Sequence, residues 1–386
     1  MMNKFVLDTD LISGEGTIEY IRTLPLKKVC IVTDTMMVKL GIVDRVTGHL
    51  NASRIEYKIF DRVEANPSLE TVNLGLHHII DYKPEALIAI GGGSVIDAAK
   101  AIIYFCIKTK ESLLDKTHIT KPIFIAIPTT SGTGSEVTAI SVITDSKTHT
   151  KIPLKDALML PDVAILDSSL TLSVPKPITA DTGMDVITHA IEAYVATGAN
   201  RFTNLFVEEA IKLAFNNLLK AYYNGNNKIA RQHMHDASCM AGIGFNNAGL
   251  GINHSLAHAI GGHFGVSHGR ANAILLPYII AFNSGLEDGL VHEFGKPYAQ
   301  LANLIRVESE EMTVKIKSLI EVIKQFNKKM EIPETFEAYG IDPEAYYKAI
   351  PEMAQSAFDD ICTTTNPRIV TLKVLEKRLE QAFRGR

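Results

Sequence analysis

Four short, uninterrupted apolar runs in the first half of the chain constrain its fold more than any other feature. Because these runs lack the polar alternation of a half-exposed strand, they predict strands that are covered on both faces, as in a largely parallel sheet. Helix-like segments separate them, as in βα units. Each run ends at turn-forming residues: VCIVT (29–33) at Asp34, ALIAI (86–90) at three glycines, IFIAI (123–127) at Pro-Thr-Thr, and VAIL (163–166) at Asp167.

The second half of the chain has a different periodicity. After Pro175 and Pro177 the apolar spacing is helical and the strand signal is weak. Helical segments include 181–197, 204–223, 229–242, 254–261 and 312–329. We therefore predict an α/β domain at residues 1–180, Rossmann-like with a mostly parallel sheet, and an all-α domain at residues 181–386. A chain of 386 residues is also long enough for two domains.

The composition excludes several classes of partner. With 39 Lys and Arg against 43 Asp and Glu, the net charge of −4 gives no electrostatic reason to expect nucleic acid or an anionic membrane. No apolar run reaches the roughly 18 residues of a membrane span, and the N-terminus lacks the apolar core of a secretory signal. The four cysteines are widely spaced, which favours reduced thiols in a cytoplasmic protein.

Two loops that follow predicted strands are candidates for binding a dinucleotide. GGGSVIDAAK (91–100) combines a glycine turn with a helix start, whose N–H groups and dipole attract phosphate. Ser94 and Asp97 in it have the spacing of a capping box. PTTSGTGSEVT (128–138) offers hydroxyls to ribose, phosphate or carboxamide. Either loop alone is also typical of a structural turn, but two such loops after neighbouring strands favour a nucleotide site.

Asp34 follows the first predicted strand, where a carboxylate can accept a hydrogen bond from a ribose 2′-hydroxyl. The same carboxylate would repel a 2′-phosphate, so it favours NAD over NADP. An ordinary turn aspartate is the alternative interpretation.

Asp185 and His189 lie four residues apart in a predicted helix, on one face, with Glu192 near the same stripe. Carboxylate and imidazole together suit a divalent metal such as zinc or iron. The helix therefore predicts half of a metal site. An apolar stripe of Met184, Ile191 and Val195 lies roughly a quarter turn away, so we expect the helix to bury that stripe and to present Asp185 and His189 at the edge of a cleft.

A second segment, residues 253–269, contains His254, His258, His263 and His268. Because each buried imidazole needs a partner, this density is unusual for a plain core segment. Any one of these histidines alone is equally typical of a structural residue, but the set together with Asp185 and His189 predicts a metal site. Several histidines elsewhere in the chain have no such cluster around them and are predicted to be structural or at the surface, among them His77, His78, His118, His149, His233 and His235.

Taken together, these motifs resemble the iron-containing alcohol dehydrogenase family, also called group III alcohol dehydrogenases. The resemblance covers essentially the whole chain. Its region 249–277 is most similar to the propanol and 1,3-propanediol dehydrogenase branches, which include members associated with bacterial microcompartments. The matching segments follow the family's order: VTD (32–34), NP (66–67), GGGSVIDAAK, PTTSGTGSEVT, GMDVITHAIEAY (183–194) and GLGINHSLAHAIGGHFGVSHGRANAILLP (249–277).

The resemblance implies a dehydroquinate synthase-like architecture, with dinucleotide binding in residues 1–180 and metal and substrate binding in 181–386. It implies that His258 assists proton transfer, and it leaves the role of His263 open. It implies one divalent ion, Fe²⁺ with Zn²⁺ as the alternative, on Asp185, His189, His254 and His268. It implies that NAD is bound by Asp34, Asn66, Gly92, Gly93, Ser94, Asp97, Thr129, Thr130, Thr133, Thr138 and Lys151.

The implied activity is the interconversion of a small primary alcohol, of the propanol, 1,3-propanediol, butanol or ethanol type, and its aldehyde by hydride transfer with NAD. The implied assembly is a homodimer or larger homo-oligomer, in the cytoplasm or inside a microcompartment.

Two alternative functions remain. One is a zinc-dependent glycerol dehydrogenase-like enzyme of the same superfamily, which typically lacks a histidine at the place of His189. The other is a non-catalytic protein that binds metal or dinucleotide.

Overall fold

A computed structural model of the chain describes residues 4–113, 120–146, 151–289, 291 and 293–385. They form two compact units, Leu7–Ser173 and Val174–Arg386, the second of which also includes residues 4–6. The division precedes a helix, Lys176–Val195, that runs unbroken across residue 180. Two of the histidines predicted to be structural, His118 and His149, lie outside the described residues.

The strands belong to the unit Leu7–Ser173. They are β1 (Asp10–Ser13), β2 (Lys28–Val32), β3 (Glu56–Phe60), β4 (Ala86–Gly91), β5 (Ile123–Pro128), β6 (Ile140–Thr144), β7 (Lys151–Lys155) and β8 (Val163–Leu166). Six of them form a parallel sheet in the order β1-β8-β5-β4-β2-β3. The other two, β6 and β7, form an antiparallel pair. The predicted mostly parallel sheet is confirmed.

The apolar runs lack polar alternation because the sheet has a core on each face. Along β2, Val29 and Ile31 point into one core, whereas Cys30 and Val32 point into the other. Full burial of a side chain such as Ile31 contributes about 1.5–3 kcal/mol, so a central strand such as β2 is stabilised from both faces. The helices of this unit are α1 (Thr35–Lys39), α2 (Ile42–Ala52), α3 (Leu69–Tyr82) and α4 (Gly93–Leu113).

The described residues of the second unit form helices and connecting loops and no strand, as predicted, and none of its described helices is long and apolar enough to cross a membrane. Its helices are α5 (Lys176–Val195), α6 (Arg201–Tyr223), α7 (Lys228–Ala248), α8 (Ile252–Phe264), α9 (His268–Asn283), α10 (Gly295–Leu304), α11 (Met312–Lys329), α12 (Phe336–Tyr339), α13 (Pro343–Asp359) and α14 (Leu372–Arg384).

Helix α5 lies at the centre of this unit. Every residue from Gly183 to Val195 is buried, and α6, α7 and α9 pack against the helix. A helix that is buried all round is part of the core. Polar side chains between Gly183 and Val195 are therefore buried and require partners there.

Candidate active site

The four predicted metal ligands lie together, on three helices. Asp185 and His189 come from α5, His254 from α8 and His268 from α9, and their candidate ligand atoms all lie within 4.8 Å of one another. Asp185 Oδ1 lies 3.7 Å from His254 Nε2 and 3.5 Å from His268 Nε2. Asp185 Oδ2 lies 3.9 Å from His189 Nδ1.

A close contact between α9 and α5 places His268 in this group. A Cβ atom on Gly269 would lie 2.1 Å from the carbonyl oxygen of Asp181, so only glycine lets the two backbones approach this closely. The Asp181 carboxylate also accepts hydrogen bonds from Ser267 Oγ at 2.7 Å and Arg270 Nε at 2.6 Å. The start of α9 is thereby fixed to α5.

The donor set fits a divalent metal ion. His254 Nε2 is buried and has no hydrogen-bond partner among the described residues, and its 3.7 Å separation from Asp185 Oδ1 is too long for a hydrogen bond. Such an unpaired atom is costly unless something else binds it. Two ligand atoms that each lie about 2.1 Å from one metal ion are separated by roughly 3–4 Å. The distances from the Asp185 oxygens to the three imidazole nitrogens fall in this range. Three imidazoles and a carboxylate suit iron or zinc.

The electrostatics of the cluster favour a bound cation. Burial tends to raise the pKa of Asp185, but the imidazoles of His189, His268 and His254 outweigh it and hold that pKa below its ordinary value. Burial also tends to lower the pKa of His254, whereas the neighbouring carboxylates of Asp185 and Glu192 raise it to about 9. Burial lowers the pKa of His268 to about 3. Asp185 is thus an ionised carboxylate in a buried site.

Two residues that the sequence did not single out complete the walls of the cluster. Asn272 Nδ2 donates to Asp185 Oδ1 at 2.8 Å and lies 3.1 Å from His268 Nε2. Its spacing of four residues from His268 is the signal that could have identified it. The ring of Phe245 stacks on His189 with centroids 4.5 Å apart, which gives the cluster an apolar side.

His258, the predicted proton-transfer residue, lies beside the cluster. Its ring stacks on that of His268 with centroids 5.1 Å apart, and its side chain is 32% exposed. Its Nδ1 atom is 2.8 Å from Asp360 Oδ2. Burial tends to raise the pKa of Asp360, but the hydrogen bonds with His258 and with the Cys362 N–H lower it to about 2. Asp360 is therefore an ionised acceptor for His258.

His258, Asp360 and Cys362 form a second group of potential ligands, whose atoms also lie within 4.8 Å of one another. Burial raises the pKa of the Cys362 thiol well above its ordinary value, and a protonated thiol is a poor metal ligand. We therefore interpret His258 and Asp360 as a hydrogen-bonded pair. The remaining histidine of the segment, His263, contacts the carbonyl of Ala259 at 3.1 Å and Glu352 at 3.4 Å.

The predicted nucleotide-binding loops lie at the carboxyl ends of three adjacent strands. Asp34 follows β2, Gly92 and Gly93 follow β4, and Thr129 follows β5. A Cβ atom on Gly93 would lie 2.6 Å from Thr133 Cγ2, and one on Gly92 would lie 3.2 Å from Thr130 Oγ1. The two loops therefore touch. The Thr129 hydroxyl is buried without a hydrogen-bond partner among the described residues.

Asp34 caps a helix as well as ending a strand. Its Oδ1 atom accepts hydrogen bonds from the N–H groups of Met36 at 2.7 Å and Met37 at 2.9 Å, at the start of α1. Asn66 and Lys151, which are far apart in sequence, also meet: Lys151 Nζ donates to Asn66 Oδ1 at 2.5 Å and to Thr144 Oγ1 at 3.1 Å.

The predicted capping box of Ser94 and Asp97 is wrong. Helix α4 already begins at Gly93, and the Ser94 hydroxyl donates to the carbonyl of Ala65 at 2.5 Å. The Asp97 carboxylate accepts hydrogen bonds from Ser135 Oγ at 2.6 Å and Val142 N–H at 3.0 Å. Both side chains thus bind segments outside the helix.

Lys100 is the residue of this region whose role the sequence did not reveal. It is fully buried, and its Nζ atom donates to Ser135 Oγ at 2.8 Å, Thr138 Oγ1 at 2.9 Å and the carbonyl of Ile140 at 2.8 Å. Burial lowers its pKa to about 8. Lys100 therefore ties the hydroxyl-rich loop, including the predicted cofactor residue Thr138, to α4. Its position three residues after Asp97 was the available signal.

Known proteins match the whole chain. Residues 8–168 match the family described as "Iron-containing alcohol dehydrogenase", and residues 179–383 match "Fe-containing alcohol dehydrogenase family, C-terminal". The chain is 42% identical to an NADPH-dependent butanol dehydrogenase of Clostridium saccharobutylicum, over 100% of this chain and 99% of that protein. It is 37% identical to the 1-propanol dehydrogenase PduQ of Citrobacter freundii, over 98% and 100% of the two chains. The crystal structure of a 1,3-propanediol oxidoreductase superposes with a TM-score of 0.90 and 32% identity, covering 99% of this chain and 100% of that one.

Proposed function

This chain belongs to the iron-containing alcohol dehydrogenase family, and on that premise we propose that it interconverts a small primary alcohol and its aldehyde with NAD(H). The predicted family and the predicted alcohol dehydrogenase class are thereby confirmed. The cluster of Asp185, His189, His254 and His268 is the single observation that carries the proposal, because it gathers four suitable ligand atoms in a mostly buried site.

We propose that these four residues hold one divalent ion, Fe²⁺ or Zn²⁺. When bound, such an ion supplies a Lewis acid that lowers the pKa of an alcohol hydroxyl and stabilises charge on its oxygen. Asp185 contributes the one carboxylate of the set, and the three imidazoles bind as neutral ligands. A site with a single ligand charge keeps a net positive charge towards the substrate.

His258 is the proposed proton acceptor. With Nδ1 bound to the ionised Asp360, its proton lies on Nδ1, so Nε2 is available as a base. An imidazole with one protonated and one free ring nitrogen suits proton transfer. Since the His258 side chain is 32% exposed, it can pass the proton on to water.

We propose that the strand-end loops bind NAD, which accepts the hydride. Gly92, Gly93 and Ser94, at the start of α4, are the proposed pyrophosphate contacts. On the ribose and nicotinamide side the proposed contacts are Asn66, Thr129, Thr130, Thr133, Thr138 and Lys151. Asp97 stays a predicted cofactor contact, and its bonds to Ser135 and Val142 give it a structural role as well.

We propose the coenzyme from the residues of this chain and not from its relatives, because one relative that matches over its full length is NADPH-dependent. Asp34 supports NAD, because its carboxylate at the end of β2 would repel a 2′-phosphate. The Asp34 Oδ1 atom caps α1, which holds the side chain in place at the strand end.

The two alternatives from the sequence make different predictions. A glycerol dehydrogenase-like enzyme is disfavoured because His189 lies in the cluster, 3.9 Å from Asp185. A non-catalytic protein would bind metal and dinucleotide without turnover. Homo-oligomerisation, and a location in the cytoplasm or in a microcompartment, stay predictions from the resemblance.

A reconstitution assay tests the proposal. Metal-free protein is loaded anaerobically with Fe²⁺ or Zn²⁺ and assayed with aldehydes of two to four carbons, 1,3-propanediol and glycerol, using NAD(H) and NADP(H). We expect NADH oxidation with a short aldehyde only after metal is added. Preferential turnover of glycerol would favour the glycerol dehydrogenase-like alternative. Binding of both metal and NADH without any turnover would favour a non-catalytic protein.

The proton-transfer role is tested by His258→Asn. We expect kcat to fall roughly 100-fold, because a positioned acid–base group contributes about 10²–10⁴-fold. Bound metal, measured by mass spectrometry, should be unchanged. His263→Asn is the control, since His263 contacts Ala259 and Glu352 instead. A normal kcat in His258→Asn would exclude His258 as the proton acceptor.

A further inference from the structure

Glu192 is a buried carboxylate of α5 that meets the first turn of α8. It is 3% exposed. Its Oε2 atom lies 2.6 Å from His254 Nδ1 and accepts the His254 backbone N–H at 3.3 Å. Its Oε1 atom accepts the backbone N–H of Asn253 at 2.8 Å. One carboxylate therefore contacts both the ring and the backbone of His254.

Through its backbone contacts Glu192, a residue of α5, caps the N-terminus of α8. Helix α8 starts after Gly251, which has no side chain to accept its first N–H groups. Glu192 accepts two of them, and Asn366 Oδ1 accepts that of Ile252 at 3.2 Å. A Cβ atom on Gly251 would lie 2.6 Å from Glu192 Oε1. Gly251 thus leaves room for the carboxylate.

The ring contact fixes the tautomer of His254. An ionised carboxylate only accepts hydrogen bonds, so the proton of a neutral His254 must lie on Nδ1, facing Glu192. Its Nε2 lone pair then points to the side of Asp185, 3.7 Å away. Helix capping alone requires no contact with the ring, so the 2.6 Å distance to Nδ1 is a separate observation.

We propose that Glu192 is a positioning residue that fixes the ring orientation and tautomer of His254 and thereby sets the metal affinity of the cluster. The inference rests on the proposed function, because it assumes that the cluster binds a metal. A carboxylate on the outer nitrogen of a ligand histidine orients the ring and makes it a stronger donor. The same carboxylate couples the metal site to the folding of α8.

The test compares Glu192→Gln with Glu192→Asp. Gln keeps the size of the side chain, but its single oxygen cannot occupy both carboxylate positions, so either His254 Nδ1 or the Asn253 N–H loses its acceptor. When its NH₂ group faces Nδ1, it favours the His254 tautomer with the proton on Nε2, and a protonated Nε2 cannot bind a metal ion. We expect Zn²⁺ and Fe²⁺ affinity to fall about 10–100-fold, measured by competition with a chromogenic chelator. Asp is shorter but remains a carboxylate, so we expect a smaller loss.

The order of the two variants separates a positioning role from packing. If Glu192 only filled space, the isosteric Gln would be the milder change. Affinity in Glu192→Gln that equals or exceeds that of Glu192→Asp therefore overturns the inference. The control is Glu208→Gln on α6, where the carboxylate accepts a hydrogen bond from the Tyr194 hydroxyl at 3.2 Å. We expect wild-type metal affinity in that control.

The wild-type titration distinguishes the inference from the proposed function. If wild-type protein binds no Zn²⁺ or Fe²⁺, the metal site fails, and with it both the proposed function and the role of Glu192. If wild-type protein binds one ion and the Glu192→Gln variant binds it equally well, only the role of Glu192 fails. Should Glu192→Gln not fold, Glu192→Asp alone must still bind metal more weakly than wild type.

Discussion

The metal cluster and the strand-end loops are built in different ways. The cluster consists of side chains that project from three packed helices, α5, α8 and α9, so each ligand depends on helix position. The loops present glycine backbone and hydroxyl groups at the ends of β2, β4 and β5. The buried ammonium group of Lys100 donates hydrogen bonds to Ser135 and Thr138 in the loop that follows β5. We therefore expect the loss of one side chain to disrupt the cluster, whereas in the loops the proposed coenzyme contacts are spread over many groups.

His268→Ala should give the largest effect and break the cluster without affecting the loops. Loss of a ligand should cost more metal affinity than the roughly 10–100-fold expected for loss of an outer partner. Nearly all turnover should disappear. NADH affinity, measured by fluorescence titration, should be unchanged, because the proposed coenzyme contacts lie in Leu7–Ser173. His263→Ala is the control. Full activity of a metal-free His268→Ala protein would contradict the metal assignment.

Lys100→Met should produce an intermediate effect, confined to the loops. Met has a similar length but donates no hydrogen bond, so Ser135, Thr138 and the Ile140 carbonyl lose their charged donor. We expect the free energy of unfolding in urea to fall by about 3 kcal/mol, with weaker NADH binding and normal metal content. Lys108→Met, on the exposed side of the same helix, should change little. Unaltered stability and NADH affinity in Lys100→Met would show that the loop needs no such support.

Asp34→Gly should give the smallest effect, a change in coenzyme preference. Removal of the carboxylate should shift the ratio of kcat/KM for NAD over NADP towards NADP by about tenfold, or 1.4 kcal/mol. Asp34→Ser retains an oxygen that can cap α1, so it separates the charge from the cap. Both variants should shift the ratio. If neither does, Asp34 is only a helix cap.

The sequence predicted best those features that repeat within one element. The runs at β2, β4, β5 and β8 and the i, i+4 pair of Asp185 and His189 are of this kind. Edge strand β3 was not predicted, because it is mostly exposed and its sequence, EYKIF, lacks a continuous apolar run. Asp360 was missed because it is 102 residues from His258. Periodicity carries no information about such distant pairings.

The close contact at Gly269 has a consequence for engineering. Replacement of helix glycines by alanine is a common route to heat-stable variants, worth about 0.4–1 kcal/mol where the backbone permits it. Gly48 in α2 suits this change, because a Cβ atom there would meet nothing within 4 Å. At Gly269 the same methyl group would lie 2.1 Å from a backbone oxygen and would push α9 away from α5. A thermostabilised variant of this enzyme should therefore be designed with Gly269 held constant.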